Sequence, residues 1–120
     1  MFSQLFVCVS ILICIGVAYS ASVINYKDGG SYTGDVVDNR REGYGEMKYS
    51  TGDVYTGFWK NDVINGRGRI VYANGNWYDG DWVNGRHHGG GTKVWANAGT
   101  KYSGDWVSDR IQGLLLSFVS

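Results

Sequence analysis

The stretch YTGFWKNDVINGRGRIVYANG, residues 55–75, decides the fold. It holds four glycines and four aromatic residues and no proline. Tyr55, Gly57 and Trp59 stand at i, i+2 and i+4. Gly66, Gly68, Ile70 and Tyr72 also step by two. A period of two places such residues on one face of a β-strand. The intervening positions, Thr56 and Phe58, belong to the other face. A polar segment, residues 60–65, separates the two runs, and Asn74-Gly75 closes the stretch with a strong tight-turn signal. One β-hairpin is therefore expected here.

The same frame recurs along the chain. Tyr-x-Gly begins at Tyr32, Tyr55, Tyr78 and Tyr102, in steps of 23, 23 and 24 residues. Two residues after each glycine stand Val36, Trp59, Trp82 and Trp106. Gly-x-Gly follows at Gly43/Gly45, Gly66/Gly68 and Gly89/Gly91. The fourth copy keeps Gly113 but has Leu115 at the second position. The units read as 26–52, 53–75, 76–99 and a partial 100–113, inside an array over residues 21–113. Residues 114–120 read as an irregular apolar tail. Successive hairpins should continue one elongated antiparallel sheet, an all-β fold. A single hairpin is marginal in water, so neighbouring units must supply its buried surface.

The glycines have a physical role in this reading. With Trp59 opposite Gly66 and Gly57 opposite Gly68, bare backbone lies where a flat ring can cross it. Glycine inside a strand commonly marks such a close approach. Aromatic cover over a facing glycine compensates for the lost side chain.

Y-x-G-x-W followed by N-G-x-x-x-G-x-G, as in YDGDWVNGRHHGGGTKVWANAG, resembles the MORN repeat (membrane occupation and recognition nexus). The resemblance covers residues 26–113. Copy one departs from it, with Val36 for the aromatic and no Asn-Gly in its loop. Copy three carries an extra residue near Ala96, and copy four breaks off after Gly113. The resemblance implies a twisted rod of hairpins, about 38 Å long for eight strands. It also implies an interaction platform: a scaffold, a self-association surface or a membrane-attached module. A protein partner or a homo-oligomer is the expectation, with an anionic membrane surface as alternative. Family arrays also precede enzyme domains such as lipid kinases or lysine methyltransferases. A regulatory fragment of a larger enzyme is thus a further alternative.

Composition narrows the function. Lys+Arg and Asp+Glu are 11 each, so the formal net charge is zero. A nucleic-acid binder would show a basic excess. Glycine at 19 of 120 residues beside 15 % aromatics fits an ordered, glycine-punctuated sheet rather than a disordered chain. No nucleophile–base pair or ligand set is visible, so no enzyme, cofactor or metal is expected.

Individual candidates divide as follows. His87 and His88 are adjacent and point to opposite faces, so they do not converge on a metal. Asp79 and Asp81 supply too few oxygens for calcium. The glycine clusters are not phosphate loops, because no Gly-Lys-Ser/Thr or helix pattern follows them. The aromatic row Tyr32, Tyr55, Trp59, Tyr78, Trp82, Tyr102 and Trp106 is either the core or a part-exposed groove for a partner. Arg40, Arg41, Arg67, Arg69 and Arg86 suggest a basic edge for lipid headgroups, opposed by Asp38, Glu42 and Asp62.

Residues 1–20 differ from the rest. Both cysteines, Cys8 and Cys14, lie there, so the array uses no disulfide. The segment from Leu5 to Ala18 is apolar and uncharged, and Ala18-Tyr19-Ser20 sets small residues at −3 and −1 of a cleavage point. This pattern indicates a signal peptide. An apolar helix acting as membrane anchor is the alternative, since the apolar run only just reaches the required ~20 residues. The expected location is the secretory pathway, secreted or membrane-anchored. A cytoplasmic, membrane-associated protein follows if the start is misassigned.

Overall fold

A computed structural model describes residues 7–12, 18–113 and 116–118, with side chains over residues 21–113. The strands are β1 (Val7–Leu12), β2 (Ala18–Asn25), β3 (Ser31–Val37), β4 (Arg40–Lys48), β5 (Val54–Lys60), β6 (Val63–Val71), β7 (Trp77–Val83), β8 (Arg86–Trp95), β9 (Thr100–Val107), β10 (Arg110–Ile111) and β11 (Leu116–Phe118). They form one antiparallel sheet in chain order from β1 to β10, and β11 also pairs with β9. The expected eight strands of the array are β3 to β10. The signal-peptide or anchor-helix reading of residues 1–20 rests on residues that lie mostly outside those described. In the tail, Leu116–Phe118 pairs with the start of β9, Leu116 facing Tyr102.

Each hairpin is tighter than the polar segments suggest. Val37 pairs with Arg40, Lys60 with Val63, Val83 with Arg86 and Val107 with Arg110. Only two residues remain in each loop: Asp38-Asn39, Asn61-Asp62, Asn84-Gly85 and Ser108-Asp109. All eight have positive φ, from 46° to 77°. Two consecutive left-handed residues define the type I′ turn, whose twist matches that of the flanking strands. Asn and Asp tolerate this conformation far better than most side chains. Strand pairing therefore starts directly beside the turn.

A second difference lies in the register. Gly57 faces Gly68 as expected, but Trp59 faces Ile64 instead of Gly66. Four residues of β6 thus span what two of β5 span. The surplus forms a bulge in which Gly66 takes φ 104°. Gly43 and Gly89 occupy the same place in their hairpins, also with positive φ. The bulge hands Gly66 to the next hairpin, where it faces Trp82. Trp59 in turn faces Gly43 of the preceding one.

Adjacent hairpins are also tied at their tips. The amides of Asp62, Gly85 and Asp109 donate to the carbonyls of Arg41, Ile64 and His87 at 3.0, 2.8 and 2.9 Å. The second, third and fourth turns are thereby each bonded to a strand of the hairpin before.

Candidate functional site

The period-two frame puts Tyr, Gly and Trp of each unit on one inner face, and the structure seals that face. Tyr32, Tyr55 and Tyr78 are fully buried, and Trp59, Trp82, Tyr102 and Trp106 are at most 4 % exposed. The row is therefore the core, and the groove reading is corrected. The cause is the facing glycine pair. Tyr55 lies across Gly57 and Gly68, and a methyl group on Gly57 would sit 2.6 Å from the Tyr55 hydroxyl. A methyl on Gly68 would overlap the ring itself.

Rings of neighbouring units interleave. Trp82 stands edge-on to Tyr55 at 5.6 Å and to Tyr78 at 5.0 Å. Trp59 is similarly placed between Tyr32 and Tyr55. Such perpendicular pairs add about 0.5–1.5 kcal/mol each beyond burial. The polar tips are satisfied as well. The hydroxyls of Tyr32, Tyr55, Tyr78 and Tyr102 donate to the carbonyls of Asp35, Phe58, Asp81 and Asp105 at 2.7–3.0 Å. The indoles of Trp59, Trp82 and Trp106 donate to the carbonyls of Gly45, Gly68 and Gly91 at 3.0–3.3 Å. Burial pushes the Tyr78 hydroxyl up to about 12, helped by the nearby Asp81.

His87 shares this core. It stacks on Tyr78 at 3.8 Å and meets Trp82 and Trp106 edge-on. Burial is the main force lowering its pKa to about 4, with Lys93 adding to it and Asp109 opposing. The folded imidazole thus takes its proton only well below pH 6.5. Between pH 6.5 and about 4 the unfolded chain binds more protons than the folded one. Stability is accordingly full above pH 6.5 and is lost as pH falls toward 4. Ile64 and Ile111 occupy the same place in other units. His87→Ile should therefore flatten the pH dependence of the urea midpoint between pH 4 and 6.5. An unchanged slope would show that another group causes it.

The five arginines do not form one edge. Arg41 turns to the inner face, 4.3 Å over Trp59, and donates through Nε to Asp62 at 3.1 Å. Arg67 and Arg69 lie on the outer face, facing Asp81 and Asp79 of the next hairpin. Their ion pairs measure 3.4 Å (Arg67–Asp79), 3.8 Å (Arg67–Asp81) and 4.0 Å (Arg69–Asp79). Arg40 and Arg86 stand apart at hairpin tips. Proximity in the sequence had grouped side chains that strand alternation sends to opposite faces.

The outer face also holds a ring pair that sequence reasoning missed, although it had assigned Phe58 to that face. Tyr44 and Phe58 are about half exposed and pack edge-on at 5.4 Å. They occupy the middle positions of Gly-x-Gly and Gly-x-Trp, and strand alternation alone assigns those positions to the outer face.

The inner-face geometry repeats with the sequence period, and the MORN repeat model matches residues 32–54, 55–77, 78–100 and 102–114. The chain belongs to the MORN repeat family. MORN repeats are interaction and membrane-binding modules. The family's units start at each Tyr-x-Gly, whereas the units taken from the sequence above start six residues earlier in the first copy and two earlier in the others. A comparison with curated proteins returned no match.

Proposed function

We propose that this MORN array is a non-catalytic scaffold that associates with a second copy of itself through the outer face. One observation carries the reading. Arg67 and Arg69 stand directly across from Asp79 and Asp81, with Tyr44 and Phe58 exposed on the same face. A two-fold axis parallel to the strands, lying over the outer face midway between β6 and β7, would set the arginines of one copy over the aspartates of the other. Self-complementary patches of this kind are what a two-fold dimer requires. Exposed aromatics beside paired charges supply the anchors that such interfaces use.

Charge exchange tests the proposal in sedimentation equilibrium. The full chain should dimerise, and R67E/R69E and D79K/D81K should each be monomeric. An equimolar mixture of the two variants should restore the dimer, and adding Phe58→Ser should weaken it at least tenfold. A chain that stays monomeric at every concentration, or a mixture that does not associate, overturns the reading.

A further inference from the structure

A cleft of about 330 Å³ opens between the tips of the third and fourth hairpins, lined by Val83, Asn84, Arg86, His88 and Ser108. Its size is at the low end for small-molecule sites. Arg86 and His88 alternate with the buried His87, so both belong to the outer face at the hairpin tip. Ser108 opens the following turn. Its amide donates to Nδ1 of His88 at 3.4 Å. That bond leaves the imidazole proton on Nε2, free to donate outward. The guanidinium of Arg86 makes no ion pair among the described residues, unlike those of Arg41, Arg67 and Arg69.

The equivalent positions at the earlier hairpin tips make the argument specific. His88 corresponds to Asn65 and Glu42, and each of these accepts an amide of the next turn. The Asn61 amide bonds Glu42 Oε2 at 2.7 Å, and the Asn84 amide bonds Asn65 Oδ1 at 3.2 Å. At the first tip, Arg40 is joined by the carboxylates of Asp38 and Glu42. At the second, Val63 replaces the arginine. At the third, Arg86 is joined by His88, Asn84 and Ser108, which bring hydrogen-bond donors and no carboxylate. Asp109, next to Ser108, is engaged elsewhere, its Oδ1 accepting the His87 amide at 2.7 Å, and Asp81 on the same face pairs with Arg67 at 3.8 Å. The array thus repeats these positions three times, and among the three sets only the third combines an arginine with hydrogen-bond donors and no carboxylate.

We infer that this third cleft binds a phosphate monoester, either free in solution or carried as a lipid headgroup. The planar guanidinium fork of Arg86 would take two phosphate oxygens, the bidentate arrangement that favours arginine over lysine. Nε2–H of His88 and the Ser108 hydroxyl would donate to the others. The turn amides are already bonded within the fold, so the side chains supply all of the recognition.

The test uses the full chain and two probes at constant ionic strength. Glycerol 3-phosphate is titrated while the His88 ring and Ser108 amide are followed by NMR. In parallel, vesicles containing phosphatidic acid are compared with pure phosphatidylcholine in a co-sedimentation assay. Saturable shifts at His88 and Ser108 are expected with glycerol 3-phosphate. Co-sedimentation with phosphatidic acid alone would assign the headgroup as the source, and its absence would assign the free ester. R86Q should weaken binding at least tenfold, whereas R40Q, at the equivalent tip of the first hairpin, should leave it unchanged. H88N keeps the acceptor that Asn65 provides in its own unit, so it should fold normally and bind several-fold more weakly. No saturable change with either probe overturns the inference, as does an equal loss in R40Q and R86Q.

Discussion

Tyr78→Ala is expected to abolish cooperative folding of the array at 37 °C. The substitution removes a fully buried ring that touches Trp82, His87 and Trp106. It also uncovers Gly80 and Gly91, the glycine pair beneath the ring. Truncating a buried aromatic to alanine costs about 3–5 kcal/mol. That is much of the ~5–15 kcal/mol that holds an ordinary domain together. Because each unit contacts only its neighbours, the loss falls at a joint with no other layer to bridge it. Tyr78→Phe keeps the ring and loses the bond to the Asp81 carbonyl. It should cost about 1–2 kcal/mol. Urea unfolding followed by tryptophan fluorescence separates the two variants. If they unfold at the same denaturant concentration, the ring itself contributes little.

Gly68→Ala is expected to cost about 2–3 kcal/mol, at the upper end for overpacking. The new methyl would occupy space held by the Tyr55 hydroxyl and ring edge, so the ring must lift from its seat. The φ of Gly68 is not positive, and any residue could adopt its backbone conformation. The position needs an absent side chain, not a special dihedral. Gly85→Ala is the informative control. Gly85 has φ 77° in an exposed turn, and its nearest neighbour would be Val63 Cγ1 at 4.0 Å. Its cost should be about 1 kcal/mol, from backbone strain alone. Equal urea midpoints for the two variants would mean that Tyr55 does not rest on Gly68.

The hairpin frame was legible because strand alternation prints itself as a period of two. Tyr55, Gly57 and Trp59 needed no partner to declare their common face. The bulge was not legible. Gly66 and Gly68 are two apart whether the strand runs straight or swells between Ile64 and Gly68, so counting cannot detect the surplus residues. The burial of the aromatic row was equally hidden. Its membership followed from spacing, but its closure depends on rings from three successive hairpins meeting edge to face. The charge block on the outer face lay concealed for another reason. Arg67 and Asp81 are joined by pairing between hairpins, and the linear sequence lists arginines with arginines. The proposed dimer surface and the cleft at Arg86 both depend on such pairings.

The bonds that tie the later three turns to the preceding hairpin also give the molecule a sense of direction. Asp62, Gly85 and Asp109 are all donors, and their acceptors always belong to the earlier unit. Each copy is therefore added by the same rule, head to tail, with no need to renegotiate the copies already laid down. One repeat of 23 residues advances the sheet by two strands, about 9.6 Å. The number of repeats in the gene therefore sets the length of the sheet, in steps of two strands.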